Sequence, residues 1–299
     1  QAVENLRRIT AFLPPRLKRA AENMPNETKK ITDEIRLRKN GIFNVFAGGK
    51  NLFPDESGRI CRIEKALTVT EAEFEECVFL LCKGSVYSYD DSIRRGYIPI
   101  PYGRAGVCGN GVTETGKMKK IKEITSVSLR IHRNIENYGR KIITIYKQFG
   151  LKGTLIYSPP GMGKTTLLRS VGLMLARGEG IRPYKVGFAD EREEIILPDT
   201  NTGIADVFSG CPKQVAVEIL TRTMSPEVIV CDEITPSDTE ELIHSTGTGV
   251  FLICSCHAED KKELEAKPHI RALMDKGCFG ILSRVKRENG VYGYVTEVL

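Results

Sequence analysis

Long apolar runs, repeats and zinc-type cysteine pairs are all missing from this sequence. No uninterrupted apolar stretch reaches the roughly 20 residues that a membrane-spanning helix needs, and no secretory signal pattern opens the sequence. The sequence has no CxxC pair with the partner ligands of a zinc site. It also has no internal repeat and no low-complexity tract. These absences argue against a transmembrane protein, a zinc-stabilised domain, a solenoid and a disordered chain.

Composition and cysteine usage indicate the class of protein and the redox compartment in which it folds. Of 299 residues, 41% are hydrophobic and 27% are charged, which is ordinary for a globular chain with room for two domains. The formal net charge of +6 is compatible with a nucleic-acid or anionic-membrane partner, but an ordinary basic surface is the simpler explanation. The nine cysteines stand mostly in apolar runs, which predicts buried free thiols in a reducing cytosol. Cys254 and Cys256 should share one face of a strand.

The pattern changes near residue 135, which predicts an N-terminal α+β domain (residues 1–135) before a second domain (residues 136–299). In the first domain, prolines interrupt a predicted helix over residues 4–21, and Thr70 with Glu73 predicts a capped helix. Short strands are predicted within residues 34–38, 96–112 and 126–133.

The second domain alternates apolar strands with helices, which predicts a parallel sheet covered on both faces. Its predicted strands are residues 153–158, 184–190, 227–233 and 250–256. Two further strand-like runs meet at Asn289-Gly290, a dipeptide typical of a β-hairpin. The fold class is therefore α/β, with a parallel core sheet and a C-terminal β-hairpin.

A glycine-rich segment between a predicted strand and a predicted helix has the pattern of a P-loop, which binds nucleotide phosphates. Gly161 and Gly163 allow the tight turn, Lys164 would reach the β- and γ-phosphates, and Thr165 would ligate Mg²⁺. The first glycine of the motif is replaced by Ser158. The alternative is a plain glycine turn. The residues expected to bind ATP are Ser158, Pro159, Pro160, Gly161, Met162, Gly163, Lys164, Thr165 and Thr166.

Acidic residues follow two of the predicted strands, at the edge where open α/β sheets bind ligands. Asp232 would hold Mg²⁺ together with Thr165, and Glu233 would orient the attacking water. The alternative for this pair is a helix cap or a solvent-facing acidic pair.

A second acidic segment, "ADEREEI", follows another strand. Asp190, Glu191 and Glu194 are candidate carboxylates for water or metal, whereas Glu193 and Glu194 fit a solvated charge run equally well. Glu191 is the rival of Glu233 as the water activator. His257 ends the strand at residues 250–256 and is a candidate phosphate sensor, although a lone histidine is more often structural.

Together these elements resemble the secretion-ATPase branch of the additional-strand P-loop ATPases, which includes motors of type II and type IV secretion and of pilus retraction. The chain resembles the stage III sporulation protein AA family more closely. In the N-terminal half the resemblance is carried by "EIRLR", "GSVYSYDDSIRRGYI" and "GRAGVCG". In the C-terminal half it is carried by "PPGMGKTTLLR", "DEREEI", "GCPK" and "RTMSPEVIVCDEI". Thr235, and the cysteines of "CSCHA", depart from the usual family pattern.

The resemblance implies a RecA-like, Mg²⁺-dependent ATPase that forms a hexameric ring in endospore-forming bacteria. It implies a cytoplasmic protein at the inner face of a membrane on the mother-cell side, with membrane-embedded sporulation channel proteins as partners and no DNA or RNA expected. The nucleotide would lie between subunits, with arginine contacts from Arg130, Arg133 or Arg192. For Arg130 and Arg133, a surface strand with alternating arginines is the alternative.

Two rival functions stay open at this stage. One is an ATPase associated with single-stranded nucleic acid, although no interleaved aromatic and basic positions are seen. The other is a nucleotide-gated assembly factor without turnover. Lys164, Thr165, Asp232 and Glu233 are all present, which argues against that second function.

Overall fold

The chain divides into two units, residues 1–133 and 134–299, and the described residues of each unit form one seven-stranded sheet. The computed structural model describes residues 2–100, 103–114, 117–131, 137–197, 200–288 and 291–299. The domain boundary expected at residue 135 lies among residues 132–136, outside that described part.

The first unit is an antiparallel sheet with short helices. Its helices are α1 (Ala2–Thr10), α2 (Pro15–Glu22), α3 (Asn26–Ile31), α4 (Glu71–Leu81) and α5 (Asp90–Arg94). Its strands are β1 (Thr32–Arg38), β2 (Asn44–Ala47), β3 (Lys50–Pro54), β4 (Ile60–Cys61), β5 (Tyr97–Ile100), β6 (Gly103–Glu114) and β7 (Lys117–Ile131). The strand order is β4-β3-β2-β1-β7-β6-β5.

Local sequence signals account for the helix boundaries in this unit. The helix predicted over residues 4–21 is two helices, because Pro15 takes the first position of α2, where its missing N–H costs nothing. Helix α4 begins with the expected capping box, in which Thr70 and Glu73 each accept a hydrogen bond from the other's backbone N–H.

The prediction of short strands in this unit was wrong for β6 and β7. They form a long antiparallel ribbon whose register shifts at three places, beginning between Cys108 and Gly109. Such bulges let a long ribbon twist, and the glycines that mark them look like turn signals in the sequence.

The second unit alternates strands and helices. Its helices are α6 (Arg140–Phe149), α7 (Lys164–Arg177), α8 (Lys213–Ile219), α9 (Thr239–Gly247), α10 (Lys261–Ala266) and α11 (Pro268–Asp275). Its strands are β8 (Thr154–Ser158), β9 (Val186–Asp190), β10 (Asp206–Ser209), β11 (Val228–Cys231), β12 (Phe251–His257), β13 (Ile281–Glu288) and β14 (Val291–Val298). Helix α8 continues into a π-helical turn over Leu220–Met224.

The second sheet has the order β10-β9-β11-β12-β8-β13-β14 and is parallel except for its last pair. One face packs against α6 and α7, and the other packs against α8 to α11. Cys254 and Cys256 share the second face, as predicted, and all nine cysteines are free. The helices packed against its two faces confirm the predicted parallel sheet covered on both sides.

One strand of this sheet was not predicted from the sequence, and one predicted turn lies outside the described residues. Strand β10 was not predicted, because it is a four-residue edge strand with alternating exposure inside a long connection. Strands β13 and β14 pair antiparallel, as expected of a C-terminal hairpin, while the predicted turn at Asn289-Gly290 lies outside the described residues. Across the described ranges, every helix is too short or too polar to span a bilayer.

Candidate nucleotide site

The P-loop segment connects the end of β8 to the start of α7, which confirms its predicted strand–loop–helix setting. Gly161 and Gly163 have φ values of 74° and 97°, in the left-handed region that favours glycine. A Cβ on Gly163 would also lie 2.9 Å from a ring carbon of Tyr292. The two glycines are therefore required by the turn itself.

The remaining loop residues fit around this turn. Ser158 is fully buried and its hydroxyl donates to the Pro159 carbonyl oxygen at 3.1 Å, so the serine is accommodated where the motif usually has glycine. Met162 packs against the core on the α6–α7 face. Pro160 lies in the loop, and Thr166 lies in the first turn of α7.

Lys164 lies over the loop with its ammonium group directed at backbone oxygens. Its Nζ donates to the carbonyl oxygens of Ser158 at 2.9 Å and Pro159 at 3.0 Å, and contacts His257 Nδ1 at 2.8 Å. The residue is 6% exposed, and burial lowers its pKa although the Asp232 and Glu233 carboxylates oppose that shift. A buried ammonium group that has no carboxylate among its direct partners is suited to binding an anion.

Two candidate oxygen ligands for Mg²⁺, those of Thr165 and Asp232, meet at the first turn of α7. Thr165 Oγ1 donates to Asp232 Oδ2 at 2.6 Å, and the other carboxylate oxygen of Asp232 accepts a hydrogen bond from Ser255. Within the described ranges no cluster of three or more histidine, cysteine or acidic side chains could hold a metal. A pair of oxygens nevertheless fits Mg²⁺, which keeps waters and phosphate oxygens as most of its ligands.

Glu233 has a left-handed backbone conformation, with φ of 49°, which for a non-glycine residue costs about 1 kcal/mol. Its backbone N–H donates to Ser255 Oγ at 2.9 Å. Its carboxylate forms an ion pair with Arg192 and lies 3.2 Å from His257 Nε2. This conformation directs the carboxylate of Glu233 toward the residues around the P-loop.

The contacts of His257 determine its tautomer. A lysine ammonium group is only a donor, so Nδ1 of His257 must accept from Lys164. The ring proton is then on Nε2, which lies 3.2 Å from a carboxylate oxygen of Glu233. His257 therefore lies between the candidate phosphate-binding lysine and the candidate water activator.

The acidic segment after β9 separates into a buried and an exposed part. Asp190 is 1% exposed, and its carboxylate accepts hydrogen bonds from the backbone N–H groups of Glu194, Ile195 and Ile196. The structure thus gives Asp190 a structural role in place of the catalytic or metal-binding role expected from the sequence. Glu191, by contrast, is exposed and lines a cleft of about 270 Å³.

Arg169 on α7 completes the support of this loop. Its guanidinium is 2% exposed and donates to the backbone carbonyl oxygens of Glu194, at 2.6 Å, and Ile195. Burial lowers the pKa of Arg169 to about 10, so the group stays charged at neutral pH. Asp190 and Arg169 together satisfy the N–H and C=O groups of one loop, which positions Glu191 and Arg192 at its exposed end.

We expect Asp190→Asn to destabilise the second unit by about 2–4 kcal/mol. The new amide nitrogen would face backbone N–H donors, and buried Arg169 would lose the nearby negative charge. Denaturant unfolding followed by circular dichroism measures this loss. Glu193→Gln, at an exposed position of the same loop, is the control and should change stability by less than about 0.5 kcal/mol. Equal stability of the two variants would contradict the structural role.

The three candidate arginines have different settings. Arg130 lies on β7 of the first unit and forms an ion pair with Glu34 at 3.2 Å. Arg192 contacts Glu233 of its own chain. Arg133 lies outside the described residues.

Ser255 is the site residue that sequence reasoning missed. It is fully buried on β12, donates to the Asp232 carboxylate and accepts from the Glu233 N–H, so it holds both acidic residues. Its signal in the sequence was a single hydroxyl within the apolar run of residues 250–256.

Comparisons with known proteins agree with this geometry. The family model described as Sporulation stage III, protein AA matches residues 3–296. Stage III sporulation protein AA of Bacillus subtilis (strain 168) is 29% identical over 299 residues, which cover 97% of this chain and 94% of that protein.

Two solved structures share the fold. The X-ray structure of the Legionella pneumophila ATPase DotB matches with a TM-score of 0.59 and 14% identity, over 90% of this chain and 76% of that chain. The pilus retraction motor PilT with bound ADP matches with a TM-score of 0.56 and 14% identity, over 90% of this chain and 79% of that chain. These matches confirm the expected RecA-like P-loop fold.

Proposed function

The chain belongs to the sporulation stage III, protein AA family, and from that premise we propose that it is a Mg²⁺-dependent ATPase that works as a ring. In this proposal it energises a channel between mother cell and forespore. The observation that carries the proposal is the convergence of Lys164, Thr165, Asp232 and Glu233 at one edge of the parallel sheet. These four groups are what ATP binding, metal binding and water activation each need.

ATP would bind with its phosphates against the backbone N–H groups of the loop and the start of α7, where the helix dipole favours an anion. Lys164 would exchange its two bonds to carbonyl oxygens for bonds to the β- and γ-phosphates. The exchange is favourable because a charged acceptor replaces neutral ones around a buried ammonium group.

Thr165 and Asp232 would hold Mg²⁺ in place of the hydrogen bond that they now share. When bound there, the metal neutralises charge on the β- and γ-phosphate oxygens. Ser255 keeps the Asp232 carboxylate at the end of β11 through its own hydrogen bond.

Glu233 would orient a water molecule for attack on the γ-phosphorus and accept its proton, while the bond from the γ-phosphorus to the β–γ bridging oxygen breaks and ADP and phosphate leave. Its present ion pair with Arg192 is partly exposed, and such pairs contribute roughly 1 kcal/mol or less. A bound γ-phosphate can therefore attract Arg192 away and free the carboxylate for water. His257 contacts both Lys164 and Glu233, so a movement of Lys164 on phosphate binding would be transmitted through His257 to Glu233.

The similarity in fold to the DotB ATPase and to the PilT retraction motor supports a motor function. The proposal places the protein at the cytoplasmic face of a membrane on the mother-cell side, with membrane-embedded channel proteins as partners. ATP is its substrate, and no DNA or RNA partner is proposed.

Ring formation would complete the site. An arginine that neutralises the γ-phosphate is worth on the order of 10³–10⁵ in rate in P-loop enzymes. Arg192 already contacts Glu233 within its own chain, so we propose that Arg130 or Arg133 of a neighbouring subunit supplies an additional positive charge. A hexamer is the proposed assembly.

We expect ATP turnover per chain to rise with protein concentration as rings form, because the site is incomplete in one chain. Turnover and light scattering are measured together across a dilution series. Mixing Lys164→Ala chains with Arg130→Ala or Arg133→Ala chains should restore part of the activity, since each defect lies on a different side of an interface. Arg36→Ala is the matched control for Arg130, because Arg36 also pairs with Glu34. It should keep near wild-type turnover.

Two results would count against this proposal. Constant turnover per chain while scattering shows monomer throughout would show a self-sufficient monomeric ATPase. No turnover at any concentration, with ATP still bound, would favour the nucleotide-gated assembly factor.

A further inference from the structure

A buried lysine on the far side of Glu233 has no role in the scheme above. Lys213 is the first residue of α8, in the "GCPK" segment, and is 4% exposed. A positive charge is unfavourable at a helix N-terminus and costly when buried. Its presence there therefore requires specific partners.

Lys213 has two such partners, and the shorter contact is to the backbone of Glu233. Its Nζ donates to the Glu233 carbonyl oxygen at 2.7 Å and contacts Asp238 Oδ2 at 3.2 Å. Burial alone would lower the pKa of Lys213, but the adjacent Asp238 carboxylate, with a smaller contribution from Glu191, opposes burial and the pKa is raised. The side chain is therefore charged at neutral pH and donates a strong hydrogen bond.

The Glu233 backbone is held from both sides. Ser255 on β12 accepts its N–H, and Lys213 on α8 donates to its C=O. Between these contacts the residue keeps the left-handed conformation that turns its carboxylate toward His257 and Arg192. Because an unsupported left-handed glutamate tends to relax to ordinary φ values, loss of either contact should move the carboxylate.

We propose that Lys213 is a positioning residue, which keeps Glu233 in its left-handed conformation so that the carboxylate faces the γ-phosphate. This inference rests on the proposed ATPase function. It assigns to Lys213 no contact with ATP, so it predicts an effect on turnover without an effect on nucleotide affinity.

The test compares Lys213→Met, Lys213→Arg and Asp238→Asn. Lys213→Met removes the donor to Glu233, and misplacement of a catalytic group by about 1 Å can lower a rate on the order of 10²-fold. We expect a kcat loss of that size with KM for ATP changed less than about threefold, and partial rescue by Lys213→Arg. Asp238→Asn removes the negative partner but leaves the Lys213 bond to the Glu233 carbonyl, so kcat should fall only a few fold.

A double-mutant cycle separates positioning from simple stabilisation. If Lys213 acts through Glu233, Lys213→Met should slow a Glu233→Gln chain by less than about twofold. The proposal would be overturned if the kcat losses of Lys213→Met and Glu233→Gln were fully additive. It would also be overturned if Lys213→Met and Asp238→Asn lost the same kcat at matched melting temperatures. Wild-type kcat in Lys213→Met would overturn it too.

Hydrogen exchange provides a readout that does not depend on turnover. Amides of residues 233 and 234 are bonded to Ser255, and their exchange should be at least about tenfold faster in Lys213→Met than in Lys213→Arg. Equal exchange would overturn the positioning role even in a chain without turnover. Absence of wild-type turnover with the expected exchange difference would instead sink the proposed function and leave the positioning of Glu233 supported.

Discussion

Lys164→Ala is expected to weaken ATP binding by roughly 30-fold to 4,000-fold. A charged hydrogen-bonded contact in a buried site contributes about 2–5 kcal/mol, and each 1.4 kcal/mol is a factor of ten in affinity. The fold should survive, because the variant removes a buried charge whose direct partners are two carbonyl oxygens and a histidine ring nitrogen. Calorimetric titration with a non-hydrolysable ATP analogue and Mg²⁺ measures the loss.

Lys276→Ala is the matched control for this experiment. Lys276 is exposed just after α11, which precedes the start of β13, so it lies away from the sheet edge that carries the P-loop. Its removal should leave ATP affinity unchanged within about twofold. Unchanged affinity in Lys164→Ala would show that the P-loop assignment is wrong.

The sequence was sufficient for features that depend on local pattern. The P-loop was predicted with its flanking strand and helix, because glycine spacing, an apolar strand and a helix start are contiguous. The α4 capping box was predicted for the same reason. The proximity of Thr165 and Asp232 was predicted from the rule that neighbouring parallel strands have their carboxyl ends at the same edge of the sheet. In the structure Thr165 Oγ1 lies 2.6 Å from Asp232 Oδ2.

Features that depend on tertiary packing could not be predicted in this way. Asp190 was expected to act on water or metal, but its carboxylate holds a loop whose path is set by Arg169 on another element. The pairing of Arg192 with Glu233 depends on a left-handed backbone that nothing in the local sequence specifies. Lys213 approaches the Glu233 carbonyl only because α8 packs beside the end of β11.

The position of Glu233 also makes it the stronger candidate for activating water. Its carboxylate contacts His257 Nε2 at 3.2 Å, and Nδ1 of the same ring contacts Lys164, the candidate phosphate-binding residue, at 2.8 Å. Glu191 is exposed on the loop after β9, and no hydrogen bond or ion pair of its side chain is seen in the described structure. The two carboxylates are therefore distinguishable by experiment.

Glu233→Gln is expected to lower kcat by about 10²–10⁴-fold, the usual contribution of a positioned acid–base group, while ATP affinity stays within a few fold. Glutamine keeps the size and one acceptor oxygen of the side chain, so the loss reports the negative charge that polarises water. Asp232→Asn should instead raise the Mg²⁺ concentration needed for half-maximal turnover, because it weakens one of two protein oxygens available to the metal. Single-turnover hydrolysis and nucleotide-binding titrations, each across a Mg²⁺ series, separate the two effects.

Glu191→Gln is the matched comparison, since it makes the same chemical change on the neighbouring loop. If Glu233 activates water, Glu191→Gln should retain turnover within about threefold, and ATP should accumulate bound only on the Glu233→Gln chain. The reverse result, normal turnover in Glu233→Gln and loss in Glu191→Gln, would assign water activation to the acidic segment after β9. Glu233 would then act mainly on Arg192 and His257, and its left-handed backbone would serve to hold those two side chains beside the phosphate.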